Sequence, residues 1–349
     1  MDGVTVVICC YNSALRIRET LECLQAQKFE KDVEWEVIVV DNISSDNTKE
    51  EVRKVWNKNP VTELTILDES VQGQTYARKR GVDQAKYEFI SFVDDDNRVD
   101  QNWVNNVYLA LKNHPDCAAC NGISTASFEE EEPWWFSHFA ENFAVGKQGQ
   151  SSGYVPVERG FLFGAGLSIR KSSLLDLYSR NYPAIQSGRL INDLRGGGED
   201  SELCFCFLLC GYRLYYDTKI RFSHFMPATR MNVNGLKRIQ TSLGRDEVVL
   251  SLYRAILNPA IRPKLTWWLE YMAYLKYYIG YVLANLTARG KSRFLFKVRL
   301  VYYKSYLAEL IYLRKKYNSY RKKIREFADA NGFSNASARK NSIKHYVST

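Results

Sequence analysis

No Gly-x-Gly-x-x-Gly follows the first apolar run, Val4 to Cys10, so the dinucleotide-binding fingerprint is missing and such a site is not expected. Cys117 and Cys120 form a Cys-x-x-Cys with no second pair, which leaves a zinc site without its other ligands. Cys9, Cys10, Cys204 and Cys206 lie inside apolar stretches, and the cysteines are expected to be reduced. No basic and apolar leader precedes Val4, so a signal peptide is not expected and a cytoplasmic enzyme is. The aromatic-rich stretch from Trp267 to Leu283 is not free of charge. Glu270 and Lys276 interrupt it, which argues against a plain membrane-spanning helix.

What is present is an uneven charge. The 349 residues carry a net +9. Residues 287–349 hold 16 lysines and arginines against 3 acidic residues, a net +13, and the remainder is therefore −4. Such a basic segment suits an anionic partner. No nucleic-acid motif accompanies it, and its basic residues stand among aromatics, so no nucleic acid is expected.

Ahead of that segment, β-branched runs alternate with helical patterns. Val4 to Cys10, Trp35 to Val40, Leu64 to Leu67 and Phe89 to Val93 read as strands. Continuous apolar strands separated by helices predict a parallel sheet buried on both faces, with ligands gathering beyond the carboxyl ends of the strands. Three of those ends carry polar groups: Asn12, then Asp41 and Asn42, then Asp94, Asp95 and Asp96. The aspartate triplet is the most informative of them. Carboxylates packed so tightly repel one another, and a cation between them relieves the repulsion. Oxygen-only ligands favour a hard ion, Mg²⁺ or Mn²⁺, which completes its shell with water and substrate phosphates. The alternative reading is a solvated acidic turn.

Six segments in this order resemble family 2 glycosyltransferases of the GT-A nucleotide-sugar fold. They are Cys10-Tyr11-Asn12, the segment from Val40 through Asp41 and Asn42 to Thr48, Gln72-Gly73 with Ala77 to Gly81, Asp94 to Asp96, Gly164-Ala165-Gly166, and Gly198-Glu199-Asp200. The resemblance covers roughly residues 4 to 230. Gln72 stands where the family commonly has Asn, and Lys79-Arg80 where it commonly has Arg-Asn.

The resemblance implies a mostly parallel central sheet and an inverting transfer from a nucleotide-diphosphate sugar, by preference a UDP-sugar, to a hydroxyl of a glycan or lipid-linked glycan. Bacterial surface-polysaccharide assembly is the setting it suggests. It implies Asp200 as the base and Glu199 as its neighbour in the acceptor site. It implies Asp96 as the direct Mn²⁺ or Mg²⁺ ligand, aided by Asp94 and by His224. Cys10, Tyr11, Asn12, Asp41, Asn42, Gln72, Arg78, Asp94, Asp95, Gly164, Ala165 and Gly166 are then expected around the donor. Plainer readings stand beside these: helix caps for Asp41 and for Glu199 with Asp200, a solvated helix face for Arg78, and a core histidine for His224. Trp134 and Trp135 are expected to form an aromatic platform for the acceptor, or else part of a core cluster.

Residues 1–258 are assigned to the catalytic domain, 259–330 to a helical amphipathic extension and 331–349 to a flexible tail. In the extension, Phe294, Leu295, Val298, Val301, Tyr302 and Leu307 alternate with Lys291, Arg293, Lys297, Arg299 and Lys304. That pattern suits a helix lying on an anionic membrane, at the inner face of the cell membrane. The other reading is a helical hairpin packed on the catalytic domain with its basic face solvated. A nucleotidyltransferase is the alternative function, since it too uses a carboxylate-bound metal on an α/β sheet.

Overall fold

A computed structural model describes residues 1–30, 32–186, 197–258 and 266–333. The first half alternates strands and helices: β1 (Val4–Cys10), α1 (Ile17–Gln25), β2 (Trp35–Asp41), α2 (Thr48–Trp56), β3 (Leu64–Asp68), α3 (Gln74–Gln84) and β4 (Phe89–Phe92). These strands are parallel in the order β3-β2-β1-β4. The runs look uniformly apolar, yet alternate side chains enter two different cores. Val4, Val6 and Ile8 pack with Ile17, Leu21, Val52 and Val55 of α1 and α2 on one face. Val7 packs with Ala77 and Val82 of α3 on the other.

Register aligns the rim. Cys10 pairs with Asp41 across β1 and β2, and Val7 pairs with Phe92 across β1 and β4. The chain therefore leaves β1, β2 and β4 at the same end, with Asp41 the last residue of β2 and Asn12 and Asp94 just beyond β1 and β4.

The second half adds β5 (Asn97–Val99), α4 (Trp103–Asn113), β6 (Cys117–Phe128), β7 (Gly153–Tyr154), β8 (Ser168–Arg170), α5 (Lys171–Ser179), α6 (Glu199–Leu209) and β9 (Arg213–Met226). The sheet continues β4-β8-β6-β9-β5, with β7 on β9. Here the pairing is mixed: β8 is antiparallel to both neighbours, and only β6 and β9 run parallel. His224 lies within β9 and stands opposite Asn97 of β5.

Four helices follow: α7 (Val233–Leu257), α8 (Trp267–Thr287), α9 (Gly290–Tyr312) and α10 (Tyr317–Ala330). Val248, Leu252, Tyr253 and Ile256 of α7 share one core with Tyr274 of α8, Tyr306 and Leu310 of α9 and Phe327 of α10, and that core reaches Val7 of the sheet. The Tyr274 and Tyr306 rings stack with centroids 3.5 Å apart. Glu270, the acid that interrupts the aromatic stretch, is buried and accepts a 2.6 Å bond from the Tyr306 hydroxyl. The hairpin reading thus holds for α9, whose Val298, Tyr306 and Leu307 face inward while its lysines and arginines are exposed. The exposed apolar face belongs to α8 and carries Trp268, Leu269, Met272, Leu283 and Leu286. Among the described residues no helix is long and apolar enough to cross a membrane. Residues 334–349, most of the expected tail, lie outside the described residues.

Candidate active site

The rim is tied together by its own polar side chains. Asn12 takes a left-handed φ of 50°, which a short amide tolerates. Its N–H donates to Ser44 Oγ (3.0 Å) and its Oδ1 accepts from Ser45 N–H (2.8 Å). Asn42 Nδ2 donates to the carbonyls of Glu69 and Val71, and its Oδ1 accepts from Gly73 N–H at 2.8 Å. Asn12 and Asn42 thus hold the loops that bring β1, β2 and α3 to one edge. Tyr11 and Gln72 are exposed there.

Asp41 has a different environment. It is buried at the end of β2, Lys49 Nζ stands 3.9 Å from its Oδ2, and its Oδ1 has no hydrogen-bond partner among the described residues. A buried carboxylate oxygen without a donor costs free energy, so this atom is suited to a donor group from a ligand.

The three aspartates divide by role. Asp95 turns inward, where its carboxylate accepts from Ser13 and pairs with Arg16 at 2.6 Å, and its carbonyl accepts from Thr20. Cys10 is likewise enclosed, and burial pushes its thiol well above the ordinary range. The Cys10 side chain thus faces no open space, while the partly buried Asp95 carboxylate is committed to Ser13 and Arg16. Asp94 and Asp96 form the pair that remains. Burial and the neighbouring Asp96 charge push the Asp94 carboxyl up to about 6. Burial also pushes on Asp96, but the hydrogen bond and charge of His224, with the charges of Arg230 and Arg16, outweigh it and hold that carboxyl below its usual range. His224 Nε2 is 3.6 Å from Asp96 Oδ1, while its Nδ1 is 3.1 Å from the Phe143 carbonyl and donates to it in the matching tautomer. The strand pairing of β5 with β9 produces this contact.

Among the described residues no group of three or more His, Cys, Asp or Glu is arranged to hold a metal, so Asp94, Asp96 and His224 do not make a closed cage. Two half-buried carboxylates, with Asp94 pushed upward, are the donor chemistry that a hard divalent ion fits when phosphate and water supply its other ligands.

The downstream acids join this edge through α3. Glu199 and Asp200 occupy the first turn of α6. Thr75 donates to Glu199, and Arg78 Nη1 pairs with Glu199 Oε1 at 3.2 Å and, closer still, with Asp200 Oδ1. Arg78 is buried, which excludes a solvated face, and it lies 5.0 Å above the ring of Phe92, two residues before Asp94. Burial works against its charge, but Asp200, Glu199 and Asp94 together raise its pKa. One guanidinium therefore feels the carboxylates of both segments.

Gly164-Ala165-Gly166 forms the floor. Asn121, buried in β6, donates to the carbonyls of Phe163 (2.7 Å) and Ala165 (3.0 Å). A Cβ added at Gly164 would lie 1.7 Å from Asp200 Oδ2, so only glycine lets this backbone approach the carboxylate. Gly166 has φ +73°, a left-handed conformation that favours glycine.

Trp134 and Trp135 part company. Trp135 is buried with Phe136, Phe143 and Val298, so the core reading holds for it and it offers no open face. Trp134 is 43% exposed and packs 5.2 Å from Phe294 of α9. Sequence reasoning missed Thr75, Arg16 and Asn121. Thr75 lies three residues before Arg78 on one helix face, and Asn121 is a lone amide after an apolar strand run; both are readable signals. For Arg16 no local signal exists.

The family model for glycosyl transferase family 2 matches residues 5–176. The poly-beta-1,6-N-acetyl-D-glucosamine synthase of Staphylococcus aureus is 30% identical over 122 residues, 35% of this chain and 28% of that protein. Glycosyltransferase AglE of Haloferax volcanii is 37% identical over 101 residues, 29% of this chain and 33% of that protein. The matched region thus spans a third or less of each relative's length. The mannosyltransferase PcManGT from Pyrobaculum calidifontis, solved with GDP-Man and Mn²⁺, shares the fold with a TM-score of 0.51 at 18% identity, over 94% of this chain and 85% of that one. On the family-model match, the chain carries a glycosyl transferase family 2 domain over residues 5–176.

Proposed function

We propose that the protein transfers a sugar from a nucleotide-diphosphate donor to a hydroxyl of a glycan or lipid-linked glycan by single displacement with inversion, Asp200 acting as base. The observation that carries this reading is the Arg78 bridge. It joins Asp200, 122 residues away in sequence, to the edge that holds Asp94 and Asp96.

In the reaction the acceptor oxygen forms a bond to the anomeric carbon as the sugar–phosphate bond breaks. The hydroxyl proton passes to Asp200, and the nucleoside diphosphate leaves with the bonding pair. Arg78 holds Oδ1 of Asp200 and so orients the carboxylate. Asp41 Oδ1, buried and without a donor, accepts from a base or ribose group of the nucleotide. Asp94 and Asp96 would hold Mn²⁺ or Mg²⁺, which when bound neutralises charge on the diphosphate. Glu199, fixed by Thr75 and Arg78, lines the acceptor side. GDP-Man, the donor named for the solved mannosyltransferase, and the UDP-sugars that the sequence resemblance favours are the nucleotide-sugars to try first.

A membrane-proximal setting is part of the same proposal. The exposed apolar face of α8 and the exposed basic side chains of α9 suit an anionic bilayer surface. The test of the reaction is a nucleotide-sugar panel with Mn²⁺, scored by donor hydrolysis and acceptor extension. Free nucleoside diphosphate is the expected product; pyrophosphate would identify a nucleotidyltransferase instead.

A further inference from the structure

A cavity of about 230 Å³ lies in the seam between the catalytic domain and the C-terminal hairpin. Asn142 lines it from a 3₁₀ turn (Ala140–Phe143), Gln240 from α7, Tyr281 from α8, and Arg299, Tyr302 and Tyr303 from α9. Its walls combine aromatic faces with fixed polar groups. The rings of Tyr281 and Tyr303 stack 4.9 Å apart, and Tyr302 stands edge-on to Tyr303 at 5.2 Å. Arg299 Nη1 donates to the Tyr281 hydroxyl at 3.2 Å, and Gln240 Nε2 donates to Asn142 Oδ1 at 2.9 Å. Those bonds set the guanidinium and the two amides in place before any ligand arrives.

This chemistry selects a class of ligand. A pyranose ring presents apolar C–H faces to aromatic rings and hydroxyls around its edge to amide and guanidinium groups. The cavity is smaller than the roughly 300 Å³ at which drug-sized pockets begin, a size that suits one ring. No carboxylate lines it, which removes a cation as the occupant.

Its position ties it to the reaction centre. Asn142 precedes Phe143, whose carbonyl accepts from His224 Nδ1 (3.1 Å). The same turn therefore walls the cavity and backs the histidine beside Asp96. At the other end, Trp134 packs against Phe294 and lies under Lys291. From Phe294 to Tyr302 α9 rises about 12 Å, so residues 134–142 run alongside it between two aromatic surfaces.

We propose that this cavity is a subsite for a pyranose unit of the acceptor glycan, away from the hydroxyl that reacts, with exposed Trp134 serving the next part of the same chain. The proposal rests on the sugar-transfer reading. It assigns the C-terminal hairpin a share in acceptor recognition.

The experiment is binding of the full-length protein to a printed array of neutral and acidic pyranose oligosaccharides. Arg299→Ala and Tyr281→Ala are compared with the wild type and with Asp200→Asn. The wild type is expected to retain a set of oligosaccharides. Each cavity variant should bind that set about tenfold more weakly or worse, as loss of one charge-assisted bond or one stacking face requires, with donor hydrolysis unchanged. Asp200→Asn should bind it normally. Arg299 is exposed, so its variant decides the matter even if Tyr281→Ala fails to fold. No oligosaccharide retained by the wild type, or equal retention by Arg299→Ala, overturns the subsite. Loss confined to Asp200→Asn overturns it too, by moving glycan binding to the reaction centre. Failure of the transfer reading shows separately, as absence of donor hydrolysis by the wild type.

Discussion

Replacing Gly164 with alanine tests the base without touching it. The new Cβ would stand 1.7 Å from Asp200 Oδ2 and 2.4 Å from its Cγ, whereas ordinary contact begins at 3.4 Å. Either the carboxylate or the floor must move by about 1.7 Å, the difference between those distances. Both are held: Asp200 by Arg78 and the first turn of α6, the floor by Asn121. A misplacement of about 1 Å at a reacting group can cost about 10²-fold, and loss of a general base about 10²- to 10⁴-fold. Turnover of Gly164→Ala should fall within that span, while donor affinity measured calorimetrically stays within about threefold, under 1 kcal/mol. Asp200→Asn should show the same loss, and the double variant should lose no more than the worse single one, since one function has been removed twice. Product NMR on the wild type should show the anomer opposite to the donor's. A Gly164→Ala enzyme with wild-type turnover would refute the idea that Oδ2 of Asp200 is the working atom.

The other predictions concern metal, pH, stability and surface. Asp96→Asn should abolish Mn²⁺-dependent nucleotide binding with the melting temperature retained; full turnover of the variant, or of the wild type in excess chelator, removes the ion from the reaction. Burial pushes the Glu202 carboxyl from its usual 4.5 up to about 7, despite donation from Tyr253 and from the backbone N–H groups of Ile185 and Gln186. A folded value above the unfolded one means stability fully present below pH 4.5 and lost as pH rises through 7, about 3 kcal/mol in all. Denaturant melts of Glu202→Gln at pH 5 and pH 8 should show that slope flattened, and an unchanged slope counts against it. Truncation after Asn258 strips α8 to α10 from the apolar side of α7 and should give insoluble or unfolded protein; a soluble, cooperatively melting product would mean an independent catalytic domain. Flotation with anionic vesicles should weaken with salt without vanishing, because screening acts on the basic side chains and not on Trp268 or Leu269; indifference to vesicles at low salt counts against the membrane setting.

The sequence by itself was enough for the alternation of strands and helices, the single polar edge and the Asp94–Asp96 pair. Each of these follows from patterns a few residues long, repeated along the chain. Gly164 was readable as a close approach, though its partner was not. Tertiary structure alone decided the rest. Asp95 belongs to Arg16 and Ser13, and the three aspartates split only because β1 and α1 pass beside them. Asp96 meets His224 because β5 pairs antiparallel with β9, a contact between segments far apart in the chain. Trp134 and Trp135 are adjacent and identical in type, yet one is half open and the other enclosed. In the extension, the charged pattern of α9 suggested a membrane face, but α7 covers its apolar side and leaves the open apolar face to α8. Periodicity reports that a face must be buried; only the packing partner determines against what.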